Sequence, residues 1–246
     1  MRVPQRFRPA SGLRVGFDID GVLADFRRAF REAAQVALRR TVADLPGPES
    51  GDAMTAGDLK RVWDAIAQTP QWWLTLQAYE PQEIARLFDL SRDRRWEVYF
   101  MTTRPPSAGE TPQFQTQWWL ESSGFHLPSV LTVPGSRGEL ANALRLDVFV
   151  DDRLLNCVDV IAASQAKAIC LMRDNDVAAR EQAYGHGIAV VATLREAVDA
   201  VVGLEEALRA NRGAVARLAD WFRPREEEER LPKNPRESRP LPGPGW

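Results

Sequence analysis

Asp18 and Asp20 stand at the end of an apolar run, LRVGF, with Gly21 directly after them. Residues two apart in an extended chain share one face, so these like charges repel unless something neutralises them. Two further apolar runs end in polar groups. WEVYFMTT closes on Thr102 and Thr103, and LDVFVDD closes on Asp151 and Asp152. Singly, each has an ordinary structural explanation, because Asp and Gly open turns and an Asp after a strand often caps the next helix. Together they would bring four carboxylates to one rim of a sheet, a costly arrangement without a cation. Oxygen-only ligands suit Mg²⁺, which takes one or two carboxylates, keeps several waters and accepts a substrate phosphate. A calcium EF-hand loop is excluded, since the ligand position after Asp20 falls on Val22 and the glycine is misplaced.

The elements that must position these residues are short. Apolar strands are expected over 13–18, 96–101, 129–133, 146–152, 166–172 and 187–191. Helical periodicity covers 24–40, with Phe26 and Phe30 on one face, and then 57–68, 81–93, 111–123, 136–145 and 154–164; a final helical stretch, with a break, is expected over 193–222. Residues 41–58 read as a loop rich in Gly, Pro, Asp and Ser. Strands alternating with helices indicate a parallel sheet covered on both faces, with its chemistry at the carboxyl ends of the strands. The segment 24–79 interrupts the alternation, being mostly helical, and has the character of an inserted helical cap. The expected fold is thus α/β, a three-layer Rossmannoid parallel sheet with a small helical cap after the first strand. Its core is 1–23 and 80–203, the cap 24–79, a C-terminal helix 204–222 and a disordered, proline-rich tail 223–246.

Composition narrows the function classes. The 246 residues carry a net charge of −2, which argues against a nucleic-acid polymer or a membrane surface as partner. No run approaches the roughly 18 apolar residues of a membrane span, and MRVPQRFRPASG has no apolar stretch of the kind a signal peptide needs. Cys157 and Cys170 lack metal-site spacing and read as reduced core residues. The expected compartment is the cytoplasm. The oligomeric state is left open by the sequence.

The order DxDGV, then an apolar strand ending in Thr, then a basic residue, then an apolar strand ending in DD, resembles the haloacid-dehalogenase-like superfamily of aspartate-nucleophile phosphohydrolases. The resemblance spans roughly residues 13–200. Within it, DIDGVLADF, the helical insertion, the WWL segment and VDDRLLN are most similar to the 5′(3′)-deoxyribonucleotidase type. The resemblance implies that Asp18 attacks phosphorus to give an aspartyl-phosphate. Asp20 would be general acid and then general base, which requires its like-charged neighbours and burial to hold a proton on it near neutrality. The implied Mg²⁺ ligands are the Asp18 carboxylate, the Asp20 backbone carbonyl and one or both of Asp151 and Asp152. Gly21 would bring backbone N–H groups to the phosphoryl oxygens. Thr102 would hydrogen-bond the phosphoryl group, with Thr103 a second donor.

One motif departs from the pattern. The superfamily usually places a lysine before the acidic strand, but this chain has only Lys60, Lys167 and Lys233, none well placed. Arg137, which opens a helix, is the expected substitute, with Arg145 the runner-up. An arginine keeps the charge and binds phosphate through a fork. Arg104 is a candidate for a second anionic group. Phe26, Trp72 and Trp73 are candidates to stack on a substrate ring, whereas Trp118 and Trp119 read as packing and His126 and His186 as incidental. The implied function is a Mg²⁺-dependent phosphomonoesterase acting on a small phosphomonoester, with nucleoside monophosphates as the finer expectation. A sugar phosphate or other small phosphometabolite is the alternative substrate. A non-catalytic binding protein that kept the fold is the reading from another class.

Overall fold

A computed structural model describes residues 12–41, 54–174 and 176–221 of the chain. The expected tail and most of the expected loop lie outside the described residues, as does the N-terminal segment up to residue 11. The elements follow the alternation of the sequence. In chain order they are β1 (Arg14–Asp18), α1 (Phe26–Leu38), α2 (Ala56–Gln68), a 3₁₀ turn (Trp72–Leu74), α3 (Pro81–Asp93), β2 (Glu97–Thr102), α4 (Pro112–Ser122) and β3 (Ser129–Thr132). Then come α5 (Arg137–Leu144), β4 (Val148–Asp151), α6 (Leu154–Ala163), β5 (Lys167–Leu171), α7 (Val177–Gly185), β6 (Ala189–Val191) and α8 (Leu194–Trp221).

The six strands form one sheet in the order β3-β2-β1-β4-β5-β6, with all pairings parallel. This is the α/β Rossmannoid fold expected of the alternating pattern. A parallel sheet is covered on both faces, so its strands must be apolar throughout rather than alternating. Val15, Phe17, Phe100, Val148, Phe149 and Val150 are accordingly inaccessible to solvent. Chain order reverses at β1, whose neighbours are β2 on one side and β4 on the other. A crevice opens at such a reversal, beyond the carboxyl ends of the strands.

Helix ends are set by local chemistry. Asp25 starts α1 by accepting a hydrogen bond from the Arg28 N–H at 3.0 Å, two residues later than the periodicity suggests. Ala24, read from the sequence as helical, instead bridges to Ala78. The compact unit that contains the sheet ends at Glu205, with Glu206 onward forming another. Helix α8 is unbroken from Leu194 to Trp221, where the sequence suggests an interruption. Helix α7 is not legible in the sequence, because Ala183 is its only buried residue and no apolar stripe marks it. Trp119 is buried as expected, but Trp118 is half exposed and lies against Phe114 with ring centroids 5.0 Å apart.

The start of α5 is the helix terminus that matters for the site. Asp159 of α6 accepts from the Gly138 N–H at 2.8 Å and from the Ser136 hydroxyl at 2.7 Å. A side chain at Gly138 would collide with the Asp159 carbonyl oxygen and come within 2.7 Å of the Ala163 Cβ. The two helices therefore touch backbone to backbone, and Arg137 is carried at a fixed height above the sheet. Gly138→Ala should lower unfolding stability despite a helix-propensity gain of up to about 1 kcal/mol. Overpacking against a backbone that cannot yield costs about 1–3 kcal/mol. Chemical denaturation checks the sign, and a variant as stable as wild type would show that α5 and α6 can part.

Candidate active site

Asp18 ends β1, Thr102 ends β2, Asp151 ends β4, and Arg137 is the first residue of the helix after β3. Three adjacent strands thus deliver their terminal residues to one rim, and the helix after the fourth adds Arg137. Asp18 and Asp151 are buried and face each other across the reversal point. Arg137 is also buried; its Nη2 lies 3.3 Å from Asp18 Oδ1 and donates to the Thr103 hydroxyl, also at 3.3 Å. Its Nε has no hydrogen-bond acceptor. Arg145, the runner-up, is an exposed left-handed residue at the far end of α5 and is not brought to the rim.

The electrostatics show what is missing. Burial pushes the Asp18 carboxyl well above the usual range, and the charges of Asp151, Asp20 and Asp152 push it the same way, against Arg137. Burial raises Asp151 to about 7, although the Arg153 N–H and the Asn156 side chain pull it back. Asp152 is raised by burial to about 6, opposed by Arg27 and Arg153. At all three carboxyls the nearby positive charge falls short of offsetting burial. Among the described residues, no group of three or more His, Cys, Asp or Glu side chains is placed to hold a metal ion by itself. A set of Asp18, one or both of Asp151 and Asp152, and the Asp20 backbone carbonyl could still hold Mg²⁺, which completes its shell with water and substrate oxygens. The hard, all-oxygen donors and the unmet negative charge fit that ion.

Asp20 has surroundings that the sequence does not suggest. Arg104 Nη2 donates to its Oδ1 at 2.7 Å and Arg104 Nε to its Oδ2 at 3.0 Å. The Thr102 hydroxyl donates to Oδ2 at 3.0 Å. Like charge alone therefore does not set the environment of Asp20. Arg104 corrects a second expectation, that it holds a substrate anion. Its side chain is inaccessible to solvent, and its remaining nitrogen, Nη1, donates to the Thr116 hydroxyl at 2.9 Å, so all three nitrogens are engaged inside the protein. Thr102 and Thr103 reach the rim, but both hydroxyl protons are committed within the protein, that of Thr103 to the Val133 carbonyl at 3.0 Å.

The turn after Asp20 is closed on itself. Gly21 has φ 95°, a conformation open to glycine and strained for other residues, and any side chain here would collide with the Asp152 carboxylate. The Gly21 N–H donates to the Ala24 carbonyl at 2.9 Å. That N–H is spent within the turn, and the glycine is needed for its φ and for the approach of Asp152. Arg173, which follows β5, was not among the expected site residues. It donates to the Val22 carbonyl at 2.9 Å and lies 3.8 Å from the Tyr79 ring centroid. Tyr79 in turn donates to Asp25 at 3.0 Å. No motif announces Arg173, because its partners, two backbone oxygens, the Tyr79 ring and the Glu80 carboxylate at 3.2 Å, are all distant in sequence. Asn156 was also missed, although its position in DDRLLN, five residues after Asp151, is one helical turn into α6 and was open to inspection.

The aromatic candidates separate. Trp73 is 1% exposed, with its indole N–H donating to the Pro105 carbonyl at 3.0 Å, and Trp72 is 6% exposed. Both are packed in the interior, where large rings bury the most area, so neither presents a face to a ligand. Phe26 is partly exposed and stacks between Trp73 and Trp63, at 6.2 and 6.1 Å. Phe30, also partly exposed, joins Trp63 at 5.3 Å.

No protein-family model matches the chain, and no curated protein matches it. Solved structures do. A phosphonoacetaldehyde hydrolase-like protein from Oleispira antarctica is similar over 85% of this chain and 98% of its own, with a TM-score of 0.51 and 14% identity. A haloacid-dehalogenase-like family hydrolase from Streptococcus pneumoniae is similar over 77% of this chain and 98% of its own, with a TM-score of 0.51 and 10% identity. A hydrolase of the same family from Deinococcus radiodurans, solved with bound phosphate and sodium, is similar over 78% of this chain and 97% of its own, with a TM-score of 0.50 and 14% identity. The fold is therefore that of haloacid-dehalogenase-like hydrolases. Identities this low speak for the fold alone.

The unmet charge predicts an unusual stability effect. In chelator at pH 7, Asp18→Asn should melt above wild type, because the amide keeps the shape without the buried charge. Each kcal/mol gained corresponds to about 2–4 °C for a chain of this size. Adding Mg²⁺ should then stabilise wild type, by about 2.7 kcal/mol at one hundred times the dissociation constant, and leave the variant nearly unmoved. Scanning calorimetry decides; a variant melting below wild type in chelator would mean that the ion pair with Arg137 outweighs the repulsion.

Proposed function

We propose that the chain is a Mg²⁺-dependent phosphomonoesterase of the haloacid-dehalogenase-like superfamily, working through an aspartyl-phosphate on Asp18. The observation that carries this reading is the convergence of Asp18, Asp151 and Arg137 on one rim, with Asp20 beside them. Bound Mg²⁺ would neutralise Asp18 and the incoming phosphate and keep the nucleophile ionised. An Asp18 carboxylate oxygen attacks phosphorus as the bond to the leaving oxygen breaks, and Asp20 gives that oxygen its proton. Asp20 then takes a proton from the water that attacks phosphorus, which releases inorganic phosphate and restores Asp18. Arg137 supplies the positive charge that a lysine gives in the superfamily pattern, and its unpartnered Nε is a donor suited to a phosphoryl oxygen. Residues 24–79, with α1 and α2, serve as the cap over a core of 1–23 and 80–203.

The partly exposed ring surface of Phe26, Phe30 and Trp63 favours a finer reading, a nucleoside 5′- or 3′-monophosphate whose base meets that surface. A sugar phosphate is the competing substrate and would make no use of it. The helices give no sign of a membrane role: none among the described residues is long and apolar enough to cross a bilayer.

A panel of phosphomonoesters assayed for phosphate release, with and without Mg²⁺, tests both levels. Wild type should turn over only with Mg²⁺, and Asp18→Asn should be inactive. Arg137→Met should lose about 10²–10³ in kcat, the scale of one missing charge-stabilising donor. Activity that survives Asp18→Asn would refute the mechanism, and tight binding without turnover would indicate a non-catalytic protein. Removing the base from a nucleotide, or substituting Phe26→Ala, should lower kcat/KM by about tenfold, the worth of one stacked ring. Equal rates on base-free sugar phosphates would refute the nucleotidase level only.

A further inference from the structure

We infer that Arg104 is a positioning residue for Asp20, holding its carboxylate in one orientation and influencing turnover only through it. The inference rests on the phosphatase reading above. Asp20 sits on a turn next to a glycine, so its own neighbours in sequence offer little support for its side chain. Support comes instead from across the rim. The Arg104 side chain is wholly inaccessible, whereas that of Asp20 is 19% exposed. The fork therefore lies on the inner side of the carboxylate and leaves its outer side to the crevice. A planar guanidinium gripping both oxygens fixes direction as well as distance, which the single charge of a lysine cannot do.

Arg104 is itself immobilised on two further sides. Its guanidinium carbon lies 4.7 Å from the Trp73 ring centroid, and Trp73 is tied by its backbone N–H to Gln115 Oε1 at 3.1 Å. Its Nη1 is held by Thr116, whose hydroxyl donates to the Pro112 carbonyl at 2.6 Å. Helix α4 and the 3₁₀ turn thus anchor a side chain whose other end reaches the candidate proton carrier. Stability alone is a poor explanation for such a construction, since a buried ion pair is often no better than well-packed apolar residues. A catalytic carboxylate, however, must be held to within about 0.5 Å of its productive place.

The test uses two substrates at saturating Mg²⁺. 4-Nitrophenyl phosphate releases a stable phenolate without protonation, while glycerol 2-phosphate needs a proton on its leaving alkoxide. Arg104→Lys should lower kcat for glycerol 2-phosphate by about 10–100-fold, the effect of misplacing a catalytic group by roughly 1 Å, with KM little changed. The loss on 4-nitrophenyl phosphate should be much smaller. In an Asp20→Asn background, Arg104→Lys should cause no further loss, since coupled residues are non-additive. A crystal structure of Arg104→Lys should show the Asp20 carboxylate displaced from its present place beside Thr102. Thr116→Val, which removes only the remote anchor, should show the same substrate split at about two- to fivefold, the coupling expected of neighbours in one network, and serves if the lysine variant does not fold. Equal losses on both substrates, or the same loss with and without Asp20, would overturn the positioning role while leaving the phosphatase reading intact. Wild type inert on every phosphomonoester would overturn both.

Discussion

Repulsion among Asp18, Asp20, Asp151 and Asp152 is the constraint around which the carboxyl edge of the sheet is arranged. Buried carboxylates are held together only where other elements supply compensation. Each acid here has a different one. Asp18 has Arg137 from the start of α5, Asp20 has the Arg104 fork, and Asp151 has the Arg153 N–H and Asn156 from the start of α6. Asp152, pressed against Gly21, is offset by the charges of Arg27 and Arg153 and by a backbone hydrogen bond at its own position. The compensation is incomplete, since Asp18, Asp151 and Asp152 all remain raised. In the proposed phosphatase, bound Mg²⁺ would make up the difference.

The turn carrying Asp20 is held with similar care. Its N–H groups close within 19–24, a strand-like segment at 77–79 pairs with it, and Arg173 reaches over from the end of β5. These ties come from three separate parts of the chain. A turn tied only to itself would be drawn from the low-stability end of the fold. Anchoring it to β5 and to Tyr79 links the geometry of Asp18 and Asp20 to the sheet itself.

The sheet and most of the rim were legible in the sequence, because parallel strands are continuous apolar runs and a polar residue ending such a run is conspicuous. Asp18, Asp20, Thr102 and Asp151 stand out for that reason, and Arg137 could be chosen because it opens the helix that leads into the Asp151 strand. Arg104 illustrates what was not legible. Adjacency to Thr103 places it at the rim, but whether it turns outward or inward depends on Thr116 and Trp73, whose positions depend on how α4 and the 3₁₀ turn pack. The same holds for Trp72 and Trp73, since an aromatic pair reads alike whether it fills a core or lines a pocket. Arg173 was hidden more deeply, because the carbonyls it serves carry no sequence signal and its one acidic partner, Glu80, lies some ninety residues earlier with no motif joining them.

If Arg137 takes the role proposed for it, an arginine at this place has its own structural logic. Gly138 lets the first turn of α5 press against α6, so the residue before it starts from a position set by backbone contact. From there a lysine would place one charge, near either Asp18 or Thr103. The guanidinium spans both with one nitrogen and keeps Nη1 within reach of the Val133 carbonyl, at 3.5 Å. An arginine also stays charged in a buried setting where a lysine readily gives up its proton. With Asp18 and Asp151 both buried beside it, a permanent cation keeps the ion pair with Asp18 whether or not a divalent ion is bound. In the proposed phosphatase, an arginine here would change the shape of the phosphate cradle more than its charge, and so act on the orientation of the phosphoryl group rather than on the strength of its attraction.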